Sequence, residues 1–115
     1  MQRRFRLRRI QDFARLRQAG RVYRRPTMLM SIAPNNQGHN RYGFVTSKHL
    51  GKAVVRNRLR RLLREAVRQQ HSRLRPGYDV VIVARPAIVG KSFQVVADDL
   101  LELFCQADLV EEDRR

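Results

Sequence analysis

Within residues 52–68, KAVVRNRLRRLLREAVR, guanidinium groups recur at a spacing suited to gripping phosphate. On a helix at about 100° per residue, Asn57, Arg60, Arg61, Arg64 and Arg68 cluster on one side. Val55, Leu59, Leu62, Leu63 and Ala66 share an arc of roughly a third of a turn on the other, and Arg56 and Arg58 fall on the flanks of that apolar face. A guanidinium fork bonds two phosphate oxygens at once and stacks on bases, so the pattern points to holding a polyanion rather than to breaking a bond. Only Glu65, placed to meet Arg61 and Arg68, offsets the charge from within. The rest would repel itself along the helix unless an outside polyanion took it up. Lys48, Lys52 and Arg68 extend the same patch.

No reactive constellation accompanies it. The sequence holds no carboxylate pair in a polar setting, no nucleophile with a histidine and an acid, and no glycine-rich phosphate loop. Cys105 stands alone, on the expected core side of the last helix, and His39, His49 and His71 lack ligand spacing, so neither a disulfide framework nor a metal centre is expected. The acids near the C-terminus follow the outer side of a helix. A binding protein results, whose partner would perform any hydrolysis.

Composition agrees. The 115 residues carry a net charge of +15; residues 1–90 hold 22 lysines and arginines against three acids, whereas 91–115 hold three against seven. The positive charge therefore belongs to the body, and only Lys48, Lys52 and Lys91 of the basic residues are lysines. No apolar run approaches the ~20 residues of a membrane span, and the basic N-terminus lacks the apolar core of a secretory signal, so a cytoplasmic protein is expected, with no membrane partner.

The elements that must position the arginines follow from periodicity. Residues 1–9, with five arginines around Phe5 and Leu7, read as a basic, poorly ordered arm. Ile10, Phe13, Ala14 and Leu16 suggest a helix stopped by Gly20, followed by a basic connector over 21–26. Residues 27–33 and 41–47 read as two strands of an antiparallel hairpin across the turn-forming 34–40. After the central helix, Pro76-Gly77 breaks the chain before the apolar run 78–84, a strand covered on both faces. Ser92 is the expected N-cap of a last helix with Phe93, Val96, Ala97, Leu100, Leu103, Phe104 and Ala107 inward, and residues 110–115 form a frayed tail. The fold class is α+β, one domain with a small, mostly antiparallel sheet in the order α-β-β-α-β-α.

Arg56-Asn57-Arg58 in a basic helix, preceded by Ser47-Lys48-His49-Leu50-Gly51-Lys52 and followed by Arg60-Arg61-Leu62-Leu63-Arg64, resembles the signature of the bacterial ribonuclease P protein subunit, over about Phe5 to Leu109. The resemblance implies a ribosomal protein S5 domain 2-like fold, with a short extra strand near 21–25 and a left-handed crossover through the central helix. It implies a subunit of an RNA-based endoribonuclease that removes the 5′ leader of precursor tRNA. Its partners would be a catalytic RNA that holds the Mg²⁺ ions, and precursor tRNA, with no obligate protein partner and no metal on the protein. By the resemblance Arg56, Asn57, Arg58, Arg60, Arg61 and Arg64 contact RNA, and Phe13, Arg17 and Ser31 lie at a leader cleft between the sheet and the first helix. Relatives have aromatics where this chain has Arg17, Ser31 and Val110, so contact of Arg17 with leader phosphate, or stacking of its guanidinium plane, is expected in place of aromatic stacking. The rivals are a ribosomal or other structural RNA-binding protein, and a stand-alone nuclease.

Overall fold

Turn-forming residues divide the chain into elements that, in the computed structural model, fold as helices on a four-stranded sheet; residues 3–7 and 10–111 are described. Helix α1 spans Ile10–Ala19, α2 Ala53–Gln70 and α3 Phe93–Gln106. The strands are β1 (Arg21–Arg25), β2 (Met28–Pro34), β3 (Arg41–Val45) and β4 (Tyr78–Ala84), in the sheet order β1-β2-β4-β3. The basic connector is thus itself an edge strand, antiparallel to β2. Its backbone pairing is invisible in a run of arginines with no apolar alternation.

The expected hairpin of β2 with β3 does not form. Strand β4 lies between them, antiparallel to β2 and parallel to β3. A loop of six residues reaches across one strand spacing of about 4.8 Å or across two, so turn chemistry alone could not decide the pairing. The apolar run of β4 decided it: Val80 and Ile82 are buried under α2 and α3, while Val81 is buried on the α1 side, so this strand must sit inside the sheet.

The two faces are unequal. Twenty buried residues, among them Met28, Met30, Leu59, Leu63, Val80, Ile82, Leu100 and Phe104, join α2 and α3 to one face. Among the described residues only Leu7, Leu16, Ala33 and Val81 form the buried cluster under α1. Ser92 caps α3, its Oγ accepting from Val95 N at 3.2 Å, as its residue type requires. Asp99 of α3 accepts from Arg25 (3.1 Å) and Thr27 (2.6 Å), tying the acidic helix to the basic edge. Cys105 is exposed rather than on the core side, because the inward stripe runs through Leu100, Leu103 and Phe104 and leaves the next position turned out.

The described parts of the two ends are paired with the body, where a poorly ordered arm and a frayed tail were expected. Residues 3–5 form a single 3-10 turn, Leu7 N donates to Tyr42 O at 2.8 Å, and Arg6 bridges to Tyr42 along the open edge of β3. Phe5 sits 4.5 Å from the His71 ring and 5.6 Å from that of His39. At the other end Val110 pairs with Leu74, and Glu111 N bonds Arg73 O. Residues 1, 2, 8 and 9 of the arm and 112–115 of the tail lie outside the described residues.

Candidate functional site

Helix α2 is held by Leu59, Leu63, Ala66, Val67 and Gln70, all buried. That stripe includes Val67 and excludes the half-exposed Val55 and Leu62, which rotates the helix by roughly 40° from the sequence-derived wheel. The rotation reassigns the arginines. Asn57, Arg58, Arg61 and Arg68 are exposed, as are Lys48 and Lys52, whereas Arg56, Arg60 and Arg64 are half-buried. Arg58, expected on a flank, faces outward; Arg60 and Arg64, expected outward, lean over β3.

This leaning gives the patch a built side. Arg60 donates to Thr46 Oγ1 on the segment after β3 and to Asn57 Oδ1 at 2.5 Å, so two acceptors fix the plane of its guanidinium. Asn57 thereby acts at least partly by aiming Arg60. Arg56 turns back to the Gly51 carbonyl at 3.2 Å. Burial lowers the affinity of Arg64 for its proton, and the neighbouring charges of Arg6 and Arg60 add to this. Arg6, Arg60 and Arg64 line one groove of about 150 Å³ with Leu7, Tyr42, Gly43 and Phe44, where three like charges favour an anion among them. Arg68 is different: Glu65 accepts from it at 2.9 and 2.5 Å, so its charge is largely answered within the helix.

On the opposite face of the sheet, Phe13, Leu16, Ser31, Val45, Val81 and Val83 line a cleft of about 220 Å³ beside α1. Gly43 makes it possible: a Cβ there would fall 2.6 Å from the Phe13 ring and 3.3 Å from Leu7. The ring therefore lies directly on the strand, and the same glycine lines the arginine groove, so cleft and groove meet at the β3 edge. Of the expected cleft residues, Phe13 and Ser31 are brought together. The Arg17 side chain lies outside the described part, and Val110 packs against the α2/α3 core, away from the cleft. The valine floor escaped the sequence reading, because Val45, Val81 and Val83 look like ordinary strand residues until the register aligns them. Among the described residues no group of three His, Cys, Asp or Glu could hold a metal ion, and no helix is long and apolar enough to cross a membrane.

The comparisons with known proteins fall on this arrangement. The ribonuclease P family matches residues 1–108. A ribonuclease P protein component of Chloroflexus aurantiacus is 43% identical over 111 residues, covering 96% of this chain and 82% of that protein. One from Herpetosiphon aurantiacus is 38% identical, covering 95% and 89%. The solved RNase P protein of Thermotoga maritima superposes with a TM-score of 0.82 at 28% identity, covering 88% of this chain and 96% of that one. With the arginine helix, the cleft and the sheet order all in place, this chain belongs to the ribonuclease P protein component family.

Proposed function

We propose that this chain works as the non-catalytic protein subunit of ribonuclease P, docking on the catalytic RNA through α2 and seating the 5′ leader of precursor tRNA in the cleft under α1. The observation that carries it is the exposed face of Asn57, Arg58 and Arg61 with Lys48 and Lys52, continued into the groove of Arg6, Arg60 and Arg64. Each phosphate neutralised there releases counterions, which favours binding most where salt and Mg²⁺ are scarce. A strand leaving the cleft over Val45 and Gly43 reaches these arginines without crossing the core.

The chain's own part is binding and orientation. The face toward RNA is cationic and would repel a divalent ion, and the exposed acids Asp98 and Glu102 stand on α3. The residues present do not fit a resident Mg²⁺ at the RNA face, so the metal and the hydrolysis belong to the RNA partner. The sparse aromatic lining, Phe13 alone, suits leader contact through the sugar-phosphate backbone and aliphatic floor more than serial base stacking.

The test mixes the purified protein with catalytic RNA and precursor tRNA at low Mg²⁺. Stimulated removal of the leader, with no cleavage by protein alone, supports the reading. Cleavage without RNA would overturn it, and tight RNA binding without stimulation would favour a purely structural RNA-binding role.

A further inference from the structure

Asp79 is fully buried in the central strand, on the α1 face of the sheet. A buried carboxylate persists only if donors surround it, and here they come from three separate parts of the chain. Arg15 Nη2 reaches it from α1, Arg41 Nε and Nη2 donate from β3 at 2.8 Å each, and Asn35 Nδ2 donates at 2.8 Å from the turn after β2. Arg15 also donates to the Pro34 carbonyl at 3.4 Å. Asp12, the one acid of α1, stands 3.8 Å from Arg41 through Oδ1, and its Oδ2 is buried with no protein partner. Asp79 is thus the tight member of this cluster and Asp12 the slack one.

Register places the cluster relative to the cleft. Along the α1 face, Ala33, Asp79 and Arg41 form one cross-strand row, Ser31, Val81 and Gly43 the next, and Leu29, Val83 and Val45 the third. The cleft occupies the second and third rows, beginning about 7 Å from the carboxylate. Helix α1 is therefore pinned by charge along the side that carries Asp12 and Arg15, and it faces the cleft along the side that carries Phe13 and Leu16. Among the described residues its apolar grip is small, four buried residues with Phe13, Val45 and Val83 partly buried against them, so the polar clamp helps decide where the helix stands.

We infer that Asp79 is a positioning residue for the leader cleft: by clamping Arg15 of α1 and Arg41 of β3 it sets the gap between Phe13 and the valine floor. This rests on the reading of the cleft as the seat of the leader. Asp79 also keeps the two guanidiniums occupied, so that they do not capture leader phosphate outside the cleft.

The holoenzyme, reconstituted with catalytic RNA at fixed salt, is compared for wild type, Asp79→Asn, Arg15→Gln and Arg15→Lys. The readout is the ratio of affinities for a precursor with a long leader and one with its leader trimmed to the last nucleotide. Expected is a fall in that ratio of about tenfold for Asp79→Asn and Arg15→Gln, partial recovery for Arg15→Lys, and affinity for the catalytic RNA within about twofold of wild type. Should Asp79→Asn fail to fold, Arg15→Gln, which leaves the Arg41 pair in place, carries the test. If wild type discriminates leaders and both variants keep the full ratio, the clamp does not set the cleft. If leader ratio and RNA affinity fall together, in step with lost thermal stability, Asp79 is only structural and the inference fails. If wild type itself ignores the leader, the cleft reading fails first and takes the clamp with it.

Discussion

Removing the outward charge of α2 measures how many phosphates the helix holds. Arg58 and Arg61 are exposed, so glutamine at both should leave the core untouched. Each phosphate contact contributes a slope of about −0.7 to −0.9 in log affinity against log salt, so the double variant should flatten the slope by roughly 1.4 to 1.8. At about 0.1 M salt each lost contact forfeits roughly 0.8 log unit; two together are about 2 kcal/mol, or roughly fortyfold weaker RNA binding. Arg68→Gln is the internal control. Its guanidinium is already answered by Glu65, and the change should move the slope by well under half a contact. Binding of catalytic RNA is titrated by filter retention across a salt series, with circular dichroism to confirm the fold. An unchanged slope for the double variant, or an Arg68 effect equal to that of Arg61, would refute the orientation assigned to the helix.

Thr46→Val should release Arg60 and weaken RNA binding by a fraction of the Arg60→Gln effect, and should add nothing once Arg60 is already glutamine; a double-mutant cycle in RNA affinity reads this, and additivity would show that Thr46 does not aim Arg60. Leu59, fully buried, should lose about 2–5 kcal/mol on change to alanine and fail to fold as Leu59→Asp, measured by denaturant unfolding. His71 Nδ1 shares a 2.8 Å hydrogen bond with the Tyr42 hydroxyl, which accepts from Asn40, and burial, then His39 and Arg4, hold the His71 pKa below the ordinary 6.5. The folded state therefore prefers neutral His71, so its contribution is present above pH 6.5 and is lost as pH falls below that value. Unfolding free energy measured between pH 7.5 and 5 should drop less steeply for His71→Asn than for wild type, and parallel curves would refute the assignment.

The residues of α2 were legible because a helix's own geometry writes its polarity into a fixed period; its ends came within about two residues of the expected ones. Strand β4, the Ser92 cap and the stop at Gly20, where a Cβ would fall 2.5 Å from the Leu16 carbonyl, were local enough to read in the same way. The wheel went astray by its small rotation because which of Val55, Leu62 and Val67 is buried depends on where α3 packs, and that is not written in α2. β1 was missed from its residues because its pairing is made by backbone amides that every residue carries.

Composition and local period alone determined a basic body and a cationic helix, since charge and periodicity belong to the chain before it folds. Tertiary structure decided the neighbours: β4 between β2 and β3, Thr46 under Arg60, a valine floor under Phe13, and Asp79 gathering Arg15, Asn35 and Arg41. The Arg15–Asp79 bond joins residues 64 positions apart, where no short-range pattern constrains the pairing and burial must choose it.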